Sequence, residues 1–197
     1  MPISADYTAS EENTSVADTL DALNASYSES KRMCEVIAKS YSKEYGVEAL
    51  IARFSYMYGY SKQMPNTAFY EFVKKSLRGE DVVLNNSGAP RRDNIHINDA
   101  VDGLLTLCAE GQPGESYNIS SGGDKGNFAA IDEIANTIAK VAHSLISGNH
   151  VSVSCKAEPC ERKPGLMLDN NKLKALGWEI KMSLEEGIRQ TMEAYIK

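Results

Sequence analysis

Hydrophobic and polar positions along the chain follow two periods, and the switching between them predicts an α/β protein. From Ser26 to Tyr45 the apolar residues Met33, Val36, Ile37 and Tyr41 recur at helical spacing, and Gly46 follows as a stop. Val47 to Phe54 (VEALIARF) reads as a buried strand. A second helix is predicted from Thr67 to Arg78, ended by Gly79, and Val82 to Leu84 forms a short strand. The stretch from Asn85 to Asp93 contains the turn signal NNSGAP and reads as a loop, ahead of an extended piece from Ile95 to Ile97. Asn98 is placed to cap a helix through Ala109 whose inner face would be Val101, Leu104, Leu105 and Cys108. SYNIS at 116–120 is a strand. A Gly-rich turn then leads into an amphipathic helix from Phe128 to Leu145, with Ile131, Ile134, Ile138 and Val141 on one face. VSVS at 151–154 alternates as a half-buried strand would, and a short helix carries Leu173 and Leu176. The last helix opens at Ser183 with Glu186 three residues on, a capping box. The first 25 residues, rich in Ser, Thr, Asn and Asp, read as an irregular segment lying over the surface.

Composition narrows the function classes. The 197 residues are 42% hydrophobic and 24% charged, ordinary values for a soluble globular protein with a real core. No apolar run is long enough to cross a membrane, and Met1 to Thr14 lacks the basic and apolar regions of a signal peptide. A net charge of -6 without a basic stripe argues against nucleic-acid binding, though not against a small anionic ligand gripped by a few Arg residues. Cys34 and Cys108 fall in apolar helical patterns and read as buried thiols. Cys155, Cys160 and the nearby His150 do not make a familiar zinc spacing, so no metal is expected, and the setting reads as reduced and cytoplasmic.

The candidate chemistry starts at Tyr27 and Lys31, four residues apart on the first helix and so on one face of it. A Lys ammonium beside a phenol favours the phenolate by direct charge interaction, which suits the phenol to proton exchange with a hydroxyl. Spacing alone does not select this pair, because Tyr58 and Lys62, and Tyr70 and Lys74, repeat it. Its surroundings do. The segment YSESKRMCEVIAKSYSKEYGVEALIARFSYMYG, with Arg53, Tyr58 and Gly59 after the strand, resembles the part of NAD-dependent epimerases/dehydratases (extended short-chain dehydrogenase/reductases acting on nucleotide sugars) that carries the catalytic Tyr and Lys. RRDNIHINDAVDGLL, YNISSG and LGWEIKMSLEEGIRQT resemble later elements of that family in the same order, so the resemblance spans nearly the whole chain.

The resemblance implies a partial Rossmann-type fold, its last strands and helices, plus a small α/β substrate-binding lobe. On that division residues 1–25 are an irregular N-terminal segment, 26–84 the remnant of the NAD-binding domain, and 85–197 the substrate lobe, with the lobes interleaved. It further implies Tyr27 as acid/base, with Lys31 tuning it and holding the nicotinamide ribose, and Phe54 and Ser55 lining the nicotinamide of NAD. Arg92 would grip the nucleotide diphosphate, for which a guanidinium offers a two-pronged match; the alternative is a solvated charge beside Arg91. Arg162 is a second phosphate candidate or a surface Arg. Tyr56, Asn66 and Phe69 lie where relatives hold sugar or base, and Phe69 also fits a core position on its helix. Tyr56 stands where the family often has Asn, and Tyr60 where it often has Pro.

One family element is not found in the sequence: a strand and Gly-rich turn that seat the pyrophosphate at a helix N-terminus. SSGGDKGNF follows a strand and precedes a helix, but Ser121 occupies the first Gly position, so the Gly123–Gly126 stretch reads as an ordinary turn. The Ser or Thr that in the family hydrogen-bonds the catalytic Tyr and the substrate, and the acidic pair that equips the dehydratases, are not found either. The resulting expectation is a nucleotide-sugar epimerase/dehydratase: oxidation at sugar C4 by NAD, then elimination, epimerisation or decarboxylation, with these residues inactive by themselves. A non-catalytic module binding a nucleotide sugar or a partner is the alternative. A homodimer through the Tyr27 helix is a further implication of the resemblance.

Overall fold

The computed structural model describes residues 7–10, 23, 25–157 and 165–197. Nine strands and six helices occur among them: β1 (Tyr7–Ser10), α1 (Ala25–Tyr45), β2 (Ile51–Phe54), β3 (Tyr56–Tyr58), α2 (Ala68–Leu77), β4 (Val82–Leu84), β5 (Arg91–His96), α3 (Ile97–Glu110), β6 (Ser116–Ile119), β7 (Phe128–Ala130), α4 (Ile131–Leu145), β8 (Val153–Cys155), β9 (Gly165–Leu168), α5 (Asn171–Lys174) and α6 (Leu184–Ile196). The mixed α/β architecture expected from the alternation is present, and most strand pairs are parallel. β2 pairs with β6, β4 with β8 and β1 with β9, while β5 lies parallel to β3 and antiparallel to β7.

Two clusters form the core. Tyr58, Phe69, Val73, Ile138, Ile188 and Met192 bring α2, α4 and α6 together under β3. Ile95, Leu107, Tyr117, Ile119, Leu173 and Trp178 pack α3 and α5 against β5 and β6. Two buried carboxylates tie distant segments. Asp93 accepts hydrogen bonds from the Ser121 backbone N–H and hydroxyl and from the Leu168 N–H. Asp99 accepts from the Lys181 and Met182 N–H groups. Burial is the main influence on Asp93 and raises its pKa above the usual carboxylate value, against the pull of its hydrogen bonds.

Several expectations are corrected. Residues 7–10, read as part of an irregular segment, form β1, because Gly165–Leu168 supplies a parallel partner far along the chain. The strand expected at 47–54 is only Ile51–Phe54; Val47 is exposed, because the chain ahead of Ile51 has no neighbouring strand. Arg91 to Asp93 belong to β5 rather than a loop, paired in register with Phe128–Ala130. That pairing also turns the first three residues of the helix expected at 128–145 into β7. The cap of α3 is His96, whose Nδ1 accepts from the Asn98 N–H at 3.3 Å. Burial lowers the His96 pKa, which keeps the ring neutral and able to accept.

The inner face of α3 is also different. Asp99, Ala100, Gly103 and Leu107 are buried, whereas Val101, Leu104, Leu105 and Cys108 are exposed. A Cβ on Gly103 would lie 3.0 Å from Ile119 Cγ2 and 3.3 Å from Trp178 Nε1, so the helix approaches the sheet through its smallest residues. On α1 only Ala25 is buried. Met33, Val36, Ile37 and Tyr41 are each about half exposed, and Cys34 is exposed as well. Both thiols expected to be buried are therefore exposed on their helices.

Candidate active site

Tyr27 and Lys31 stand one turn apart on α1, with Lys31 Nζ 5.6 Å from the Tyr27 ring centroid. The other two Tyr-x-x-x-Lys tyrosines are structural. Tyr58 and Tyr70 are buried, and their hydroxyls donate to Leu184 O and Gly59 O. Burial raises both phenol pKa values. Tyr27, in contrast, is 65% exposed.

Behind Tyr27, a cavity of about 570 Å³ lies between α1 and β2, lined by Tyr27, Lys31, Cys34, Glu35 and Ala38 on one side and Leu50 to Phe54 on the other. Arg53 donates to both oxygens of Glu35, from Nε at 2.8 Å and Nη2 at 2.6 Å. This fork-to-carboxylate pair fixes the helix carrying Tyr27 to the strand that ends in Phe54. Reading Arg53 as part of a motif left its partner unnamed, although Glu35 sits one turn beyond Lys31 on the same helix face. The hydrogen bond from Arg53 holds the Glu35 pKa below the usual carboxylate value. A depressed folded-state pKa contributes stability that is present above the unfolded value and is lost as pH falls through the folded one. Hydrogen exchange of the α1 amides should therefore stay slow through mildly acid pH and quicken below the ordinary carboxylate range. An unchanged α1 exchange rate in Glu35→Gln at neutral pH would show that the pair does not hold the helix.

Beyond Phe54 the chain enters a second cavity of about 470 Å³, lined by Ser55, Tyr56, Met57, Tyr58, Gly59, Tyr60, Ser61, Pro65, Thr67, Tyr70 and Ile97. The Ser55 hydroxyl is buried without a hydrogen-bond partner among the described residues. Tyr56 is also a wall of a third, narrower cavity of about 160 Å³ with Ala68, Phe69, Phe72, Arg92, Asn94, Ile131 and Ile134. Three candidates, Tyr56, Phe69 and Arg92, thus meet at one slot. Phe69 is at once a core residue, 4.9 Å from the Tyr58 ring, and a wall of the slot. Ala68, Phe72, Asn94, Ile131 and Ile134 carry no sign of a site in the sequence, where Ile131 and Ile134 read as an inner helix face, because periodicity looks the same whether the space a face meets is filled or open.

The adjacent arginines differ. Arg91 donates to Phe128 O at 2.9 Å and lies 4.2 Å over the Phe128 ring. Arg92 is exposed, and its hydrogen bond among the described residues is to the Arg91 carbonyl. Asn66 is exposed ahead of α2 and lines none of the three cavities. Arg162 and Cys160 lie outside the described residues. The Gly123–Gly126 stretch is a 3₁₀ turn, with the Asn170 side chain over Gly122 and Met167 Sδ over Gly123. A Cβ on Gly126, in contrast, would meet nothing within 4 Å.

The sequence profile of the NAD dependent epimerase/dehydratase family matches residues 3–120. The chain belongs to this family. It is 29% identical over 172 residues to mouse dTDP-D-glucose 4,6-dehydratase, covering 87% of this chain and 47% of the relative. It is 32% identical over 164 residues to UDP-glucuronic acid decarboxylase 3 of Arabidopsis thaliana, covering 82% and 45%. Among solved structures, dTDP-glucose 4,6-dehydratase of Bacillus anthracis in complex with NAD superposes with a TM-score of 0.74 at 24% identity, covering 100% of this chain and 57% of that one. UDP-glucose 4-epimerase of Thermotoga maritima with UDP-glucose gives 0.72 at 25% identity, covering 86% and 53%. The fold is thus of the Rossmann-type extended short-chain dehydrogenase/reductase kind, in an NAD-dependent family. The chain spans about half the length of the relatives it matches. No helix among the described residues is long and apolar enough to cross a membrane.

Proposed function

We propose that these residues form the substrate side, and the nicotinamide end of the cofactor site, of a nucleotide-sugar epimerase/dehydratase. The observation that carries this reading is the run Phe54–Ser55–Tyr56. It passes along three adjoining cavities, one lined by Tyr27 and Lys31, a middle one, and one lined by Arg92. A nucleotide sugar has the matching order, with a reacting hydroxyl at one end, a sugar, and a diphosphate and base at the other. Open α/β sheets bind ligands at the carboxyl ends of their strands, which is where Phe54 and Ser55 sit.

In this arrangement the Tyr27 oxygen would take the proton from the sugar C4 hydroxyl and later return it. Lys31, one turn along α1 beside Tyr27, would hold the nicotinamide ribose. Phe54 would pack beside the nicotinamide, with the Ser55 hydroxyl as a nearby polar contact. Arg92 pairs with the diphosphate while Phe69 and Tyr56 flank the base and sugar. NAD, when bound, supplies hydride acceptance and return. The nicotinamide end fits the residues present. For the pyrophosphate, no Gly-rich strand–turn–helix occurs among the described residues.

Calorimetric titration of the 197-residue chain tests this. UDP or dTDP should bind, NAD should not bind in the micromolar range, and NAD with a nucleotide sugar should give no nicotinamide reduction. Micromolar NAD binding without nucleotide-diphosphate binding would sink the reading. In any preparation that does turn over, Tyr27→Phe should cost about 10²–10⁴-fold. The alternative, a nucleotide-sugar-binding module without turnover, would be excluded by a turnover that Tyr27→Phe abolishes.

A further inference from the structure

The segment that follows β3 is gripped by two phenols. β3 ends at Tyr58, so Gly59 and Ser61 lie beyond the strand ladder. The Tyr70 hydroxyl, from the first turn of α2, accepts from the Gly59 N–H at 3.1 Å and donates to the Gly59 carbonyl at 2.8 Å. The Tyr195 hydroxyl, from the last turn of α6, does the same at Ser61: it accepts from the N–H and donates to the carbonyl, both at 3.2 Å. Each phenol thus satisfies both backbone polar groups of one residue. The Tyr60 side chain lies against the Tyr195 ring, 4.9 Å between centroids. Farther along, the Ser61 hydroxyl donates to Gln63 O, and Met64 packs against the first core cluster. α6 spans the segment, bonded at its first residue to Tyr58 and in its last turn to Ser61.

Tyr58 to Ser61 form one wall of the cavity at Ser55–Ser61, whereas Tyr195 is not among its lining residues. We propose that Tyr195 is a positioning residue for ligand binding in that cavity: together with Tyr70 it fixes the Gly59–Ser61 wall, without touching the ligand itself. The proposal rests on the nucleotide-sugar reading and adds to it a part for α6. The cavity is open, with Tyr56, Tyr60 and Thr67 exposed along it, so its shape depends on how firmly the wall is held and not on enclosure. A wall free to move must be ordered when a ligand seats, which weakens binding, and a wall already held avoids that loss. A phenol suits the task because its single oxygen both donates and accepts. Burial raises the Tyr70 pKa, which keeps its proton available for donation. At Tyr195 a phenylalanine would keep the ring against Tyr60 and remove only the grip on Ser61.

The test sets Tyr195→Phe beside the unaltered 197-residue chain. Amide hydrogen exchange should quicken about 10-fold or more at Ser61 and stay unchanged at Gly59. Calorimetric titration should show the affinity for UDP-glucose, relative to that for UDP, falling about 10-fold in the variant. UDP is the internal control, because on the nucleotide-sugar reading it occupies the Arg92 slot and does not reach this wall. The melting temperature should move by no more than about 3 °C. Tyr70→Phe is an independent second variant that frees the wall at its other end: exchange should quicken at Gly59 instead of Ser61, and the same affinity ratio should fall. A lower melting temperature with an unchanged ratio would make Tyr195 a structural residue only and overturn the proposal. Slow exchange at Ser61 in Tyr195→Phe would overturn it as well. Failure of both ligands to bind the unaltered chain overturns the nucleotide-sugar reading, and this inference with it.

Discussion

Gly187→Val should unfold most of the protein at physiological temperature, and Gly187→Ala should lower its stability by about 2–3 kcal/mol. Gly187 lies in α6 where the helix crosses β3. A Cβ there would sit 2.3 Å from the Tyr58 hydroxyl oxygen, 3.0 Å from Tyr58 Cζ and 3.2 Å from His96 Cδ2. Tyr58 is held closely, its hydroxyl donating to Leu184 O on the same helix. It is 1% exposed, with Phe69 against one side at 4.9 Å and His96 edge-on at 5.4 Å. Alanine would gain about 1 kcal/mol of helix propensity over glycine, and the predicted loss is what remains after that gain. Because Tyr58 also lines the cavity at Ser55–Ser61, displacing it should open that cavity as well. Chemical denaturation with two probes, helix signal and nucleotide binding, should show both lost together. Wild-type stability in Gly187→Ala would mean that α6 can slide away from β3, and that the cavity wall is softer than its packing indicates.

Legibility in the sequence divides along the range of the forces involved. α2, α4 and α6 were readable because their buried faces follow a helical period that is local, as at Ile134, Ile138 and Val141. α3 was misread because its buried face is made of Asp99, Ala100, Gly103 and Leu107, and a hydrophobicity pattern gives no weight to small residues that permit close approach. Asp99 carries no local sign of its role, because the amides it satisfies lie at Lys181 and Met182. β1 was invisible for the same reason: its partner begins at Gly165.

The site shows the same division. The spacing of Tyr27 and Lys31 is visible in the sequence and its family-like surroundings single it out; the structure adds that Tyr58 and Tyr70 are buried, with hydroxyls committed to Leu184 and Gly59. The resemblance to a known family pointed to Tyr56, Phe69 and Arg92 one at a time. That all three share a slot is a property of β3, α2 and β5 folded together. The exposed apolar rows on α1 and α3 look like core in sequence because amphipathic periodicity records that a face is made to be covered. It does not record what covers it.

The contrast between two neighbouring arginines is the sharpest consequence of the site. Arg92→Ala should weaken UDP or dTDP binding about 100-fold or more, since a bidentate guanidinium–phosphate contact loses two charge-assisted hydrogen bonds worth about 1.5–3 kcal/mol each. Its melting temperature should barely change, because the side chain is exposed and among the described residues bonds the neighbouring carbonyl. Arg91→Ala should do the reverse. It removes the hydrogen bond to Phe128 O and the stacking over the Phe128 ring, about 1–2 kcal/mol of stability together, from the strand pair that holds β5 to β7. Nucleotide affinity should stay within a few-fold provided the protein is folded. Arg92→Lys separates geometry from charge: a point charge restores attraction without the planar fork, so recovery should be partial. The two single variants, each read by titration and by thermal melting, form a crossed pair in which each measurement controls the other. If Arg91→Ala abolished binding while Arg92→Ala left it intact, the diphosphate would lie on the β7 side of the strand. The slot under Tyr56 would then be packing space, and the nucleotide would have to be sought along Phe128.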